Sequence, residues 1–298
     1  MHIPVLRKEV IKWLDPKANK NFIDGTISHG GHALEILEKT KPNGKLLGID
    51  WDKNIISSLS IKTKNLGLEK RLTLVHGNFA ELKAIIKKKG FGPINGILLD
   101  IGMSSWHIEE SKRGFSFREN EMLDMRYSVQ EQKLNAKEIV NQWSEKEITN
   151  ILEQYGEEKF AKKISAAIVE KRSKKPIKTT FDLVDIIKQA TPSWYHFKKI
   201  HPATKTFQAI RIAVNQELEN LKSVLPQSLE ILANNGRMVI ISFHSLEDRI
   251  VKRFFKQCEK EKKGEILTPK PIRASKQEIQ SNPRSRSAML RAFQKQEP

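Results

Sequence analysis

Three short apolar runs in the first part of the chain carry an aspartate at or near their ends: Phe22 to Asp24, "KLLGID" (45 to 50) and "INGILLDIG" (94 to 102), which contains Asp100. A further run, "RLTLVHGNF" (71 to 79), falls between the second and third. Helical patterns such as Ala33 to Lys39 separate them. Short, continuous apolar runs alternating with helices predict a parallel sheet with right-handed crossovers, a doubly wound α/β domain. Such sheets bind ligands outside the carboxyl ends of their strands, where these acids fall.

The turn after the first run reads Asp24, Gly25, Thr26, Ile27, Ser28, His29, Gly30, Gly31 and opens a helix. Exposed N–H groups of a helix start beside a glycine-containing turn suit a nucleotide-like cofactor. The dinucleotide fingerprint G-x-G-x-x-G is absent, which weakens a nicotinamide reading. An acid at the first strand end suits a cationic amine, such as the amino-acid end of S-adenosylmethionine, and suits a pyrophosphate poorly. Asp50, about 20 residues further on, is placed to accept two ribose hydroxyls. Phe79, just past the third run, is placed against an adenine. Taken singly, Gly30 and Gly31 read equally as a plain tight turn, and Asp24 and Asp50 as helix caps. The set, at successive strand ends, favours a nucleoside cofactor.

After Gly102 the rhythm breaks. Residues 103 to 130 are turn-rich, and Asn135 to Thr191 is helical throughout. Ser144 with Glu147 predicts a capping box, with Ile148, Ile151, Leu152 and Tyr155 on one face and a stop at Gly156. Phe160, Ile164 and Ile168 continue the period, and Phe181 to Ala190 makes another helix before Pro192. A long helical stretch, Phe207 to Ala233, leads into a strand at 236 to 244, then the helix "SLEDRIVKRFFKQ", a strand near Ile266 to Ile272 and a last strand at Ala288 to Phe293. The organisation predicted is 1–108 and 206–298 for one discontinuous domain and 109–205 for an inserted helical one.

Lys and Arg number 53 against 35 Asp and Glu, a net charge of +18, with pI about 9.8. That excess fits a nucleic-acid partner, through counterion release, as well as it fits a solvated lysine-rich surface. One cysteine, Cys258, excludes an intrachain disulfide and a cysteine-based zinc cluster, and fits a reducing cytoplasm. No window approaches the roughly 18 apolar residues of a membrane span, and the N-terminus lacks a signal-peptide core.

Longer blocks carry a resemblance. "HIPVL" (2 to 6), "DGTISHGGH" (24 to 32), "GILLDIGMSS" (96 to 105), "RGFSF" (113 to 117), "LDMR" (123 to 126), "YGEE" (155 to 158), "HPATKTFQAIRIAVNQEL" (201 to 218), "SFHSLEDRIVK" (242 to 252) and "NPRSRSA" (282 to 288) run in order from end to end. They resemble the bacterial 16S ribosomal RNA cytosine N4-methyltransferase family (RsmH/MraW). The resemblance implies a Rossmann-like class I methyltransferase sheet with an inserted all-helical substrate-recognition domain. It also implies S-adenosyl-L-methionine as cofactor, and methylation of the exocyclic N4 of a cytosine in the decoding region of 16S rRNA in the small ribosomal subunit. A homodimer is compatible with it. The implied cofactor contacts are Gly30, Gly31, His32, Asp50, Phe79 and Asp100, with His107 standing where the family has glutamine. Ser28 replaces a usual glycine, His29 a frequent arginine, and Trp51 a usual basic residue. If the turn requires a positive φ at Ser28, that residue is strained by roughly 1 kcal/mol or more.

Methyl transfer to a cytosine amine needs an acceptor that turns the nitrogen lone pair toward the methyl and takes the proton. Asp100 and Ser104, or nearby carbonyls, are the candidates at the transfer point, with pure cofactor binding an equal reading for Asp100. His244 either contacts the base or caps the following helix, and Ser245 with Asp248 forms a loose capping box. No His, Asp or Glu grouping reads as a catalytic metal site. A flipped base would be held by aromatic or arginine planes, for which Arg113, Phe115, Phe117, Arg126, Arg211, Arg284, Arg286 and Arg291 are available. The rivals are a nicotinamide oxidoreductase on the same fold and an RNA-binding protein without activity.

Overall fold

The computed structural model describes residues 4–296; His2 and Ile3 of the first resembling block lie outside the described residues. The chain forms two compact units, Met1–Gly102 with Leu218–Pro298, and Met103–Glu217. The first opens with α1 (Arg7–Leu14), β1 (Phe22–Asp24), α2 (Gly31–Lys39), β2 (Leu46–Asp50), α3 (Lys53–Asn65), β3 (Leu72–His76), α4 (Leu82–Lys89) and β4 (Ile94–Asp100). The second is helical: α5 (Ser105–Glu109), α6 (Ala136–Gln142), α7 (Glu145–Gln154), α8 (Ala161–Lys174), α9 (Thr180–Ala190), α10 (Ser193–His196) and α11 (Thr204–Asn215). The sheet unit is then completed by α12 (Glu217–Ile231), β5 (Leu232–Ser242), α13 (Ser245–Lys260), β6 (Gly264–Ile266), α14 (Lys276–Ser281) and β7 (Met289–Lys295).

The strands make one seven-stranded sheet in the order β3-β2-β1-β4-β5-β7-β6. β1 to β5 pair in parallel, and β7 runs antiparallel to both β5 and β6. This is the Rossmann-like class I methyltransferase sheet that the sequence blocks imply. The central strands β1, β2 and β4 are largely apolar and buried because both faces are covered. Phe22, Leu98, Val239 and Ile241 pack with Leu14 of α1 and Ile36 of α2 on one face. Ile23, Ile97, Leu99 and Ile240 pack with Leu82 of α4, Leu225 of α12 and Phe255 of α13 on the other.

Register shapes the binding edge. Asp24 lies beside Gly48 of β2 and Leu98 of β4, so Asp50 and Asp100 each extend two residues past the end of β1. The short central strand leaves a notch at the point where strand order reverses, the place where this sheet class takes ligands.

The helical unit has its own core, from Phe115 to Val214. The capping box forms as predicted: Ser144 N–H donates to Glu147 Oε2 at 2.7 Å, and Glu147 N–H to Ser144 Oγ at 3.3 Å. Ile148 and Leu152 are fully buried behind it, each contributing roughly 1.5–3 kcal/mol relative to exposure.

The boundaries differ from 109–205. The helical unit starts at Met103 and runs to Glu217, because α11 gives Phe207, Ala209, Ile210 and Val214 to its core. Asn215 locks that end: its amide donates to Met125 O at 2.8 Å, and its Oδ1 accepts from Tyr127 N–H at 2.9 Å. The continuous helix expected over Phe207 to Ala233 breaks at Gln216, whose φ of 50° closes α11. β5 begins at Leu232. The strand expected over Ile266 to Ile272 ends at Ile266, and Ile272 keeps only an isolated bridge to Leu290.

Candidate active site

The turn after β1 is tied to all three acid-bearing strands. Thr26 N–H donates to Asp24 Oδ1 at 3.1 Å, and Thr26 Oγ1 accepts from Asp100 N–H at 2.7 Å. Ser28 N–H donates to Asp50 Oδ2 at 3.0 Å, and Asp52 N–H to Asp50 Oδ1 at 2.9 Å. Gly30 has φ +78° and precedes α2; a Cβ there would also meet Leu59 Cδ1 at 2.9 Å. At Gly31 a Cβ would stand 2.6 Å from Pro4 Cγ, so Gly30 is favoured by its backbone conformation and both glycines by the space available. Ser28 does adopt φ 47°, the strained conformation anticipated for a non-glycine residue. His32, buried in the first turn of α2, brings Nε2 to 3.8 Å from Asp100 Oδ2. Phe79 sits half-buried at the start of a 3₁₀ turn just after β3.

This edge of the sheet is rich in buried carboxyl groups. Burial, reinforced by Asp50, pushes the Asp24 carboxyl up to about 7 against the pull of the Thr26 N–H. Burial, then Asp24 and Glu247, push Asp100 up to about 8, opposed by the Gly102 N–H. Asp100 Oδ1 is buried and has no hydrogen-bond partner among the described residues, although the side chain as a whole keeps 23% of its surface. Neither Asp24 nor Asp100 forms an ion pair with a Lys or Arg among the described residues. A carboxylate cluster with this surplus favours a ligand that brings positive charge.

Comparison with known proteins decides what such an edge belongs to. The family model described as MraW methylase matches residues 1–296. The chain belongs to the MraW methylase family. A ribosomal RNA small subunit methyltransferase H from Heliobacterium mobile is 44% identical over 310 residues, covering 99% of this chain and 98% of the relative. One from Geotalea uraniireducens (strain Rf4) is 43% identical over 309 residues, with the same coverage of 99% and 98%. A crystal structure described as a putative rRNA-methylase from Clostridium thermocellum overlays with a TM-score of 0.48 at 10% identity, covering 100% of this chain and 99% of that one. The fold assignment rests on the strand order above.

Of the cofactor contacts implied by the resemblance, Gly30, Gly31, His32, Asp50, Phe79 and Asp100 all lie in the sheet unit, on the turn and strand ends just described. Ser104 and His107 lie in the helical unit. Ser104 is the N-cap of α5, with Oγ 2.7 Å from His107 Nδ1 and accepting from His107 N–H at 3.3 Å. The His107 ring is enclosed by Phe115 and Tyr127, at 5.1 and 4.9 Å between centroids.

Several residues proposed to hold a base are committed elsewhere. Arg126 grips Asp124, Arg211 forms a two-pronged pair with Glu217, and Arg291, 5% exposed, does the same with Asp248. Arg113 donates to the carbonyls of Arg126 and Tyr127 and lies 4.8 Å from the Trp106 ring. Phe115 is in the core. The capping arrangement at α13 also differs from the expected Ser245 and Asp248. His244 is the N-cap residue and Glu247 the third helical position; Glu247 Oε2 accepts from Phe243 N–H at 2.8 Å, and Oε1 lies 3.2 Å from His244 Nε2. Asp248 is unavailable for capping because it holds Arg291. Sequence reading missed Thr26, which bridges β1 and β4, and the buried Glu247. The Thr26 hydroxyl sits in a turn already marked by its glycines, whereas Glu247 carried no signal beyond its place in "SFHSLEDR". Cys258 is buried on α13 and its thiol is pushed up to about 11 by burial, which removes it as a thiolate nucleophile.

Proposed function

We propose that this chain transfers a methyl group from S-adenosyl-L-methionine to the exocyclic N4 of a specific cytosine in the decoding region of 16S rRNA. The observation that carries the reading is the acid-rich edge of the sheet, in which Asp24 and Asp100 are buried and paired with no Lys or Arg among the described residues, within a chain that matches the MraW methylase family over its length. The residues present fit the cofactor: Asp100 Oδ1 lacks a hydrogen-bond partner among the described residues, and Gly30 and Gly31 hold the turn open where side chains would collide. When bound, the sulfonium supplies an electrophilic methyl carbon.

The roles assigned here follow from that fit. Asp50, whose oxygens accept from the Ser28 and Asp52 N–H groups, is our candidate acceptor for the ribose hydroxyls. Phe79 offers a plane to the adenine, and the start of α2 at Gly31 and His32 offers backbone N–H groups. Asp24 and Asp100 meet the cationic end, which draws both carboxyls toward ionisation. Once drawn toward ionisation by the cationic cofactor, Asp100 is also our candidate for orienting the cytosine amine and accepting its proton. Ser104 is the second candidate at the transfer point, and His107 the remaining candidate cofactor contact.

The test is mass spectrometry of 16S rRNA fragments after small subunits lacking the modification are incubated with purified protein and methyl donor. One added methyl on a single cytosine is the expected result. No gain in mass at any cytosine sinks the enzyme reading. Binding of S-adenosylhomocysteine but not NADH separates it from the oxidoreductase rival.

A further inference from the structure

We infer that the segment around α10 of the helical unit, Trp194 to Ile200, is a stacking surface for unpaired bases of the RNA substrate; this rests on the RNA reading above. The aromatic planes first expected to hold bases are taken: Phe115 is 6% exposed and stacks on Tyr127 at 5.5 Å, and Phe117 stacks on His201 at 4.5 Å. Among the described residues the exposed aromatic rings outside that region include Trp194 at 55% and Phe197 at 88%, followed by Ile200 at 56%. Three large apolar side chains exposed within seven residues make the kind of clustered apolar surface that marks an interaction site, as singly scattered ones do not.

The surface is anchored. Trp194 meets Phe160 and Tyr195 edge-on, at 5.8 and 5.9 Å between centroids. The Tyr195 hydroxyl, below it, donates to the buried Glu158 carboxylate at 2.8 Å. Ring planes fixed in this way lose little entropy when a base stacks on them.

Charge selects the occupant. Lys198 Nζ lies 4.8 Å from the Trp194 ring centroid and 5.4 Å from that of Tyr195, and Lys199 is exposed next to it. From residue 186 to 210 the chain has Lys188, Lys198, Lys199 and Lys205 and no Asp or Glu. Ammonium groups interleaved with exposed rings match a nucleic acid strand, phosphates on the lysines and bases on the rings. A second copy of this chain seated face to face by two-fold symmetry would set the same lysines against themselves.

The experiment measures the affinity of full-length protein for a fluorescein-labelled single-stranded RNA and for the same sequence in a perfect duplex. Phe197→Ala and Trp194→Ala are expected to weaken single-strand binding about tenfold, within the range for loss of one stacked base, and duplex binding less than twofold. Trp194→Phe keeps a plane and should retain most of the affinity. Phe197 is exposed enough that its truncation leaves the core intact, and S-adenosylhomocysteine affinity should not change in any variant. Single-strand affinities of both alanine variants within twofold of wild type overturn the inference. So does a Phe197→Ala protein that changes from dimer to monomer in sedimentation with RNA affinity unchanged, which would give the face to a second copy. A wild-type protein that methylates rRNA while the alanine variants keep its KM sinks this inference alone; a wild type that neither binds nor methylates RNA takes the proposed function with it.

Discussion

In the helical unit two partly buried acids, Asp124 and Glu217, are met by guanidinium groups: Arg126 grips Asp124, and Arg211 donates twice to Glu217, 5% exposed, at 2.8 and 2.9 Å. At the strand ends of the sheet unit, burial first, then neighbouring acids, pushes Asp24 and Asp100 up to about 7 and 8, and neither is paired with a Lys or Arg among the described residues. The contrast is local, since Asp248 elsewhere in the sheet unit is fully matched by Arg291. Matched pairs close upon themselves and serve the fold, whereas unmatched carboxyls leave an interaction for a ligand to complete. Removing charge should therefore have opposite consequences at the two places.

The largest effect is expected at the unmatched edge. Asp100→Asn should lower the methyl-transfer rate by about 10²–10⁴-fold, while leaving thermal stability unchanged or slightly raised. A loss below tenfold would return Asp100 to a simple cofactor contact. Next, Arg211→Ala strands the Glu217 carboxylate and should cost about 3–5 kcal/mol of stability, read as a lower urea midpoint. A midpoint close to wild type would show the matched pair to be dispensable and break the contrast.

The pH dependence is a third, smaller test. Because the folded-state pKa values of Asp24 and Asp100 lie above the ordinary 3.8, the neutral forms are favoured by folding. Their contribution to stability is fully present below about pH 4 and is lost as pH rises through 7 and 8. The melting temperature of the ligand-free protein should fall across that window, and the fall should flatten in an Asp24→Asn, Asp100→Asn double variant. Affinity for the cationic methyl donor should rise over the same range. A melting curve equally pH-dependent in the double variant would place the titration elsewhere. The smallest change is expected from Ser28→Gly. It relieves a φ of 47° and should raise stability by up to about 1 kcal/mol, part of the gain being offset by the added freedom of glycine in the unfolded chain.

Much of this was legible in the residues. Apolar runs tipped with Asp24, Asp50 and Asp100 located three parallel strands, and the Ser144 and Glu147 spacing located the start of α7, because strand burial and helix capping depend on neighbours within a few positions. The same locality made Gly30 and Gly31 readable as a turn. The break at Gln216 was not readable: Phe207 to Ala233 has an unbroken helical pattern, and the interruption follows from Asn215 bonding to Met125, 90 positions earlier in the chain. The roles of the arginines were equally hidden. Arg291 meets Asp248 across 43 positions, and spacing along the chain carries no trace of that pairing.

Sequence by itself determined the sheet class, the acid-tipped strand ends and the helical interruption, since periodicity and strand length are properties of adjacent residues. Tertiary structure alone decided which charges are matched and which aromatic rings stay in water. Burial and ion pairing are properties of residues brought together from distant parts of the chain, so Asp100 could be placed at a strand end in advance, but its missing counter-charge could not.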